Sequence, residues 1–185
     1  MTKFILHNVD TAPEGSKLLL EDSIKHFGMI PNLHAVMAES PQLLDAYQFM
    51  TDKVLKSSFN AEEVTVLWLT IDVEHGCHYC VPAHTAIAYQ MQVKSELIQS
   101  LLKGKILKNP KLEVLRQLTL SVIRERGKVG KKQIDDFFAA GYDRRQLLEV
   151  VLGVAHKVMS NYVNYIAQTP LDSIFKPFVE DENLH

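Results

Sequence analysis

The feature that most constrains this chain is its punctuation. Apolar residues recur every three to four positions in one stretch after another, and nearly every stretch opens on a helix-capping residue or closes on glycine or proline. That spacing predicts an all-α fold. A first helix is expected from about Ser16 to Phe27, stopped by Gly28 and Pro31, and a second over Asn32–Glu39. Ser40 caps a third, with Pro41 at its first position, running to about Ser57. Asn60 caps AEEVTVLWLTIDVEH, where β-branched Val and Thr suit a strand but the length and the cap favour a helix. Beyond Gly76, helices are expected over Tyr79–Met91, Lys94–Leu102, Lys111–Arg126 and Lys131–Ala139. Asp143 then caps RRQLLEVVLGVAHKVMSNYVNYIAQ, the longest apolar stretch, which Pro170 breaks. The residues before Ser16 read as irregular and KPFVEDENLH as a loose polar tail. No repeat or linker interrupts the pattern, so residues 1–185 read as one domain, a bundle of about eight helices.

The bulk composition narrows the partners. With 46% hydrophobic residues the chain has enough apolar surface for one sizeable core. Its 20 basic and 22 acidic residues are spread without a block of either sign, which argues against a nucleic-acid partner. The segment MTKFILHNVDTAPEGSK lacks the pattern of a signal peptide, and no run approaches the ~20 apolar residues of a membrane span. A cytoplasmic protein without a membrane partner is expected. In that reducing compartment, two cysteines separated by two residues suit catalysis or metal binding better than a structural staple.

Both cysteines and three of the eight histidines fall in HGCHYCVPAH, residues 75–84. At ~100° per helical residue, Cys77, Cys80 and His84 lie at about 0°, 300° and 340°, on one narrow face. Pro82 fits without breaking a hydrogen bond only in the first turn, which places the N-cap near His78 or Tyr79 and Cys80 at the helix start. Free N–H groups and the positive end of the helix dipole there favour a Cys80 thiolate. Three readings stay open on spacing alone. The three side chains make a nucleophilic thiol, a resolving thiol and a base; or they are three zinc ligands, with His75, His78 or His156 as a fourth; or they are buried core residues. A thioredoxin fold is disfavoured, since the chain has no βαβ pattern.

The sequence E-H-G-C-H-Y-C-V-P-A-H, preceded by the apolar VTVLWLTIDV, resembles the AhpD-like alkylhydroperoxidases of the carboxymuconolactone decarboxylase superfamily. The resemblance extends to IPNLHAVMAESPQLLDAY before the motif and DDFFAAGYDRRQLLEVVLGVAHKVMSNYVNYIAQTPLD after it. It implies an AhpD-like helical fold, homotrimers or homohexamers, and thiol-dependent reduction of a hydroperoxide with no cofactor. Cys80 would attack the O–O bond and become a sulfenic acid, and Cys77 would resolve it as a disulfide. An external dithiol electron donor would restore the pair, and His84 would hold or relay the thiol proton.

Many members of that family carry a glutamate twelve residues before the first cysteine, which completes the proton relay; here that position is Thr65. On the same helix Asp72 lies about 20° from the Thr65 face and Glu62 about 60°, so Asp72 is the first substitute expected and Glu62 the second. Trp68 is placed to wall a pocket or to fill the core, and His156 to face the site, an interface or the core. His78 and Tyr79, between the cysteines, are placed to tune access or charge. Two alternatives to peroxide turnover remain: a redox-sensing or protein-interaction module that uses the disulfide as a switch, and a structural zinc site.

Overall fold

In the computed structural model, residues 4–179 are described. They form nine α-helices and a terminal 3₁₀ helix: α1 (Glu14–Phe27), α2 (Asn32–Met37), α3 (Pro41–Leu55), α4 (Ala61–Glu74), α5 (Cys80–Gln90), α6 (Ser95–Leu102), α7 (Pro110–Arg124), α8 (Lys131–Ala139), α9 (Arg144–Ala167) and Ser173–Phe178. Among the described residues there is no strand. The fold class is as the spacing predicts, and the nine α-helices match one by one the nine stretches expected, where the bundle as a whole read as about eight. Gln92, with a left-handed φ of 58°, breaks the helical run between α5 and α6, where the boundary was expected.

The capping residues act as read. Ser40 accepts the N–H of Leu43 at the start of α3, and Asn60 and Glu63 form a reciprocal capping box at the start of α4. Asp143 and Gln146 form another at the start of α9. The cap on α4 settles its strand ambiguity, because the box fixes both ends of the first turn.

Helix α4 is the axis of the molecule. Its residues from Glu63 to Asp72 are all buried, which explains why apolar positions occur on every side of it. It packs against α5, α6, α7 and α9. One core cluster, with Leu67, Ile71, Leu115, Leu118 and Phe137, lies toward α7 and α8. A second, with Leu20, Met37, Leu44 and Tyr79, lies toward α1–α3 and contains both cysteines. At Gly153 of α9 a Cβ would stand 2.3 Å from Leu67 Cδ2 and 2.8 Å from its Cγ, so any side chain there requires Leu67 of α4 to shift.

Helix α9 buries a mostly polar stripe, Gly153, His156, Lys157, Ser160, Asn161 and Asn164 beside Val150, and leaves Leu148, Val151, Tyr162 and Ile166 exposed at 52–72%. One sequence expectation needs correction, the point at which the tail begins. Residues 173–178 form the 3₁₀ helix packed on α5, where Phe175 meets Tyr79 and Phe178 meets Tyr89 edge to face or tilted. The rest of the expected tail, residues 180–185, lies outside the described residues, as do residues 1–3.

Candidate active site

The turn between α4 and α5 builds the site. Gly76, with φ of 61°, ends α4 in a Schellman motif: the Gly76 N–H donates to Val73 O at 3.0 Å and the Cys77 N–H to Asp72 O at 3.0 Å. That motif sets Asp72, at the end of one helix, beside Cys77, at the entry to the next. Tyr79 is the N-cap of α5 and has no side-chain cap of its own; the first N–H of the helix, that of Cys80, donates instead to Cys77 Sγ at 3.2 Å. Pro82 falls within the first turn, as its chemistry requires.

Asp72, His84, Cys77 and Cys80 come together. Two oxygens face His84 Nδ1, Asp72 Oδ2 at 2.7 Å and Cys80 O at 3.1 Å, which assigns its proton to Nδ1 and leaves Nε2 as a lone pair. The ring N–H axis points at the Cys80 carbonyl, with the carboxylate close beside it. The imidazole therefore touches the Cys80 backbone and makes no hydrogen bond to its sulfur. The polar neighbours of Cys80 Sγ are Asn164 Nδ2 at 3.2 Å and Ser160 Oγ at 3.8 Å.

Glu62 is not part of this group. It lies in the first turn of α4, ten residues and ~15 Å of helix rise from Asp72. The angle alone put it near the right face; the axial distance removes it. Thr65, where the family's glutamate is expected, is a buried threonine on the same helix.

The residue that sequence reasoning missed is Lys157. Fully buried, it places Nζ 3.2 Å from Asp72 Oδ1, 3.0 Å from Ser160 Oγ and 3.3 Å from His84 Nδ1. Asn161 adds an amide N–H to Asp72 Oδ1 at 3.0 Å and accepts from His75 Nδ1 at 3.0 Å. A signal for these residues was present: five polar side chains at 156, 157, 160, 161 and 164 follow helical spacing inside an apolar stretch, and together they mark one face.

Burial and charge set the protonation of the cluster. Burial pushes the Asp72 carboxyl up, but Lys157 and then His84 outweigh it and hold Asp72 below the usual carboxylate value. Burial works against the Lys157 ammonium, yet Asp72, then Cys80, raise it above an ordinary lysine. Burial, then the Lys157 charge, depress His84 against the pull of Asp72, which keeps it a neutral base at pH 7. The sulfurs reverse the sequence expectation. Burial, then the hydrogen bond to Cys77, push the Cys80 thiol well up, whereas the hydrogen bond from Cys80 lowers Cys77. The helix start is not sufficient to make Cys80 the more acidic thiol, because it is also buried.

A cavity of about 340 Å³ reaches this cluster. Cys80 and His84 line it and Cys77 does not. Its walls include Trp68, Tyr47, His156, His34, Phe27 and Phe175; among the described residues no Asp, Glu, Lys or Arg lines it. Tyr47 stacks on His156 with ring centroids 4.8 Å apart, and Trp68 lies 4.7 Å from His84. His34 is lowered to about 4 by burial, and burial, then Lys157, hold His156 well below its usual value, so both are neutral aromatic wall. Trp68 and His156 thus serve core and pocket at once.

The two residues between the cysteines tie the site to the C-terminal segment. Nε2 of His78 meets Thr169 O at 3.0 Å, and the Tyr79 hydroxyl donates to Asp172 Oδ2 at 2.5 Å. The Asp172 carboxylate also accepts the Asn32 N–H at 3.2 Å, at the start of α2. This clasp holds the 3₁₀ helix, and with it Phe175, over the cavity.

Several solved structures share this arrangement of helices. A peroxidase-related protein from Ralstonia eutropha JMP134, described as an alkylhydroperoxidase AhpD core, superposes with a TM-score of 0.83 at 16% identity over 94% of this chain and 93% of that one. The chain has the AhpD-like fold. A peroxidase-related protein from Silicibacter sp. TM1040 gives a TM-score of 0.78 at 18% identity, covering 95% of this chain and 97% of that one. The debrominase Bmp8, in a cysteine-to-alanine variant with 2,3,4-tribromopyrrole bound, gives 0.76 at 14% identity, covering 96% and 95%. No family model and no curated protein sequence matches the chain. The AhpD-like fold thus hosts a dithiol here and a debrominase elsewhere, so activity has to be argued from the site.

No group of three His, Cys, Asp or Glu side chains among the described residues is arranged to hold a metal ion. For the zinc alternative, the nitrogen of His84 facing the cluster is already committed to Asp72 and the Cys80 carbonyl. No described helix is long and apolar enough to cross a membrane.

Proposed function

We propose that the protein reduces organic hydroperoxides through a Cys77–Cys80 dithiol/disulfide cycle. The observation that supports this most is that one sulfur, Cys80, lines the cavity while its partner lies directly behind it. The Cys80 thiolate attacks the peroxide O–O bond, giving Cys80 sulfenic acid and an alkoxide that leaves as the alcohol with the proton released by the thiol pair. His84, held by Asp72, presents its free Nε2 as the group that passes this proton. The Cys77 thiolate then displaces water from the sulfenic acid and closes the disulfide. An external dithiol reduces the pair by exchange, so two thiols of the donor are oxidised per peroxide.

The wall chemistry supports an uncharged, apolar substrate. Burying a phenyl-sized group there should raise kcat/KM for cumene hydroperoxide about 10- to 100-fold over hydrogen peroxide, measured with dithiothreitol as donor. No catalytic consumption of either peroxide would overturn the peroxidase reading. Consumption that stops at one equivalent per chain would leave the redox switch.

A second reading applies the same sulfurs to a carbon–halogen bond, and the aromatic, uncharged cavity favours it alongside the shared fold of the debrominase. Cys80 would take the halogen from an aryl halide, the ring carbon would take the proton from the dithiol, and Cys77 would displace halide as the disulfide closes. Bromide release from 2,3,4-tribromopyrrole in the same assay distinguishes it.

We infer further that the outer face of α9 joins copies of the chain into a homo-oligomer. Leu148, Val151, Tyr162 and Ile166 form one exposed apolar stripe along that helix. Light scattering should give a multiple of 21.0 kDa that falls in a Val151→Glu, Ile166→Lys variant; a monomer in the unaltered protein would exclude this.

A further inference from the structure

The resting dithiol presents a problem for any attack from the cavity. The sulfur more ready to ionise is Cys77, which the cavity does not reach, and the sulfur that lines the cavity is held protonated by its burial. The two lie in one turn, with the Cys80 N–H on Cys77 Sγ at 3.2 Å, so the charge reaches Cys80 when its thiol proton is passed to Cys77.

The groups around Cys80 are unequal toward the two sulfurs. Asn164 Nδ2 lies 3.2 Å from Cys80 Sγ and 3.9 Å from Cys77 Sγ. Ser160 Oγ lies 3.8 Å from Cys80 Sγ and makes no hydrogen bond to Cys77. Behind it, Lys157 donates to Ser160 Oγ at 3.0 Å, and the hydroxyl hydrogen is parked on the Lys157 carbonyl at 3.1 Å. Rotating that hydroxyl turns it from an acceptor of the Cys80 S–H into a donor to a Cys80 thiolate, with the Lys157 cation still bound to its oxygen. On the Cys77 side, the fixed partner is the backbone N–H of Cys80.

We propose that Ser160, Asn164 and Lys157, all on the buried face of α9, form an anion site that places the negative charge of the dithiol on Cys80 at the moment of attack. They are positioning residues that act on the sulfur, and they would work on any electrophile admitted to the cavity. The proposal therefore goes beyond the peroxidase reading and does not need peroxide turnover to be tested. It also assigns a use to a cation in a site where the carboxylate expected at Thr65 is missing. Lys157 acts through Ser160, which is the link to remove.

The other ionisable groups near the sulfurs are Tyr47 from α3, Asp72 from α4 and His84 from α5, and His156 from α9 lines the same cavity as Cys80. None of them is altered by the test. Thiolate absorbance is followed against pH in two backgrounds, Cys77→Ser, where Cys80 titrates alone, and Cys80→Ser, where Cys77 does. Ser160→Ala should raise the Cys80 midpoint by about one pH unit, about tenfold less thiolate at a fixed pH, because a hydrogen bond to a charged group is lost. The same change should move the Cys77 midpoint by less than about a third of that. Asn164→Leu, which keeps the volume, should repeat the asymmetry, with helix content checked by circular dichroism. Equal shifts at both sulfurs, or no shift at Cys80 in either variant, would overturn the proposal.

Discussion

Lys157→Met should lower the stability of the protein by about 3–5 kcal/mol, the cost of leaving a buried charge without its partner. Both Lys157 and Asp72 are fully buried, with Nζ and Oδ1 3.2 Å apart. After the substitution the carboxylate keeps only Asn161 and a neutral imidazole. Adding Asp72→Asn should recover much of the loss, since two neutral side chains of similar size remove the orphaned charge. The pH dependence follows from the two shifts. Asp72 is depressed, so its contribution is present above the unfolded value of about 3.9 and is lost as pH falls through the lower folded value. Lys157 is raised, so its contribution is complete below the unfolded value of about 10.4 and is lost as pH rises through the higher folded value. Between these limits the pair is at full strength. The Lys157→Met deficit, measured by urea unfolding, should be largest near neutrality and shrink toward pH 4 as the variant's Asp72, which burial pushes up once Lys157 is gone, takes up a proton. A deficit independent of pH, unrelieved by Asp72→Asn, would mean that packing rather than charge was lost.

Cys80→Ser should abolish hydroperoxide turnover, by at least about 10³-fold, because no other thiol among the described residues lines the cavity. Cys77→Ser should slow turnover with a dithiol donor, because the donor itself must then resolve the sulfenic acid. With the donor left out, its Cys80 can still be oxidised once, so one equivalent of peroxide is consumed and a sulfenic acid accumulates, visible as a gain of one oxygen in the mass of the protein. The contrast tests the order of the two thiols. Single-turnover oxidation retained in Cys80→Ser and lost in Cys77→Ser would reverse their roles.

Much of the fold was legible because helix boundaries are local. Ser40, Asn60 and Asp143 cap the helices they were expected to cap, and Pro82 locates the start of α5 to within one residue of the observed N-cap, Tyr79. The grouping of Cys77, Cys80, His84 and Asp72 was legible for the same reason, since one turn joins the two helices that carry them. Glu62 failed because a helical wheel discards distance along the axis. Lys157 was hidden by a deeper limit: periodicity defines two faces of α9 without saying which is inside. Polar residues are normally assigned to water, and only the Asp72 carboxylate and the two sulfurs, delivered by other helices, make that face an interior one. The C-terminal 3₁₀ helix was hidden likewise, since its attachment depends on Tyr79, ninety-three positions from Asp172.

That attachment restricts how this dithiol can be engineered. In a Cys-x-x-Cys protein whose intervening residues are free, exchanging them is a way to adjust the reduction potential alone. Here His78 holds Thr169, and Tyr79 holds Asp172 and through it the start of α2. Exchanging either residue also loosens the cover of the cavity, so electron affinity and substrate admission are inherited together.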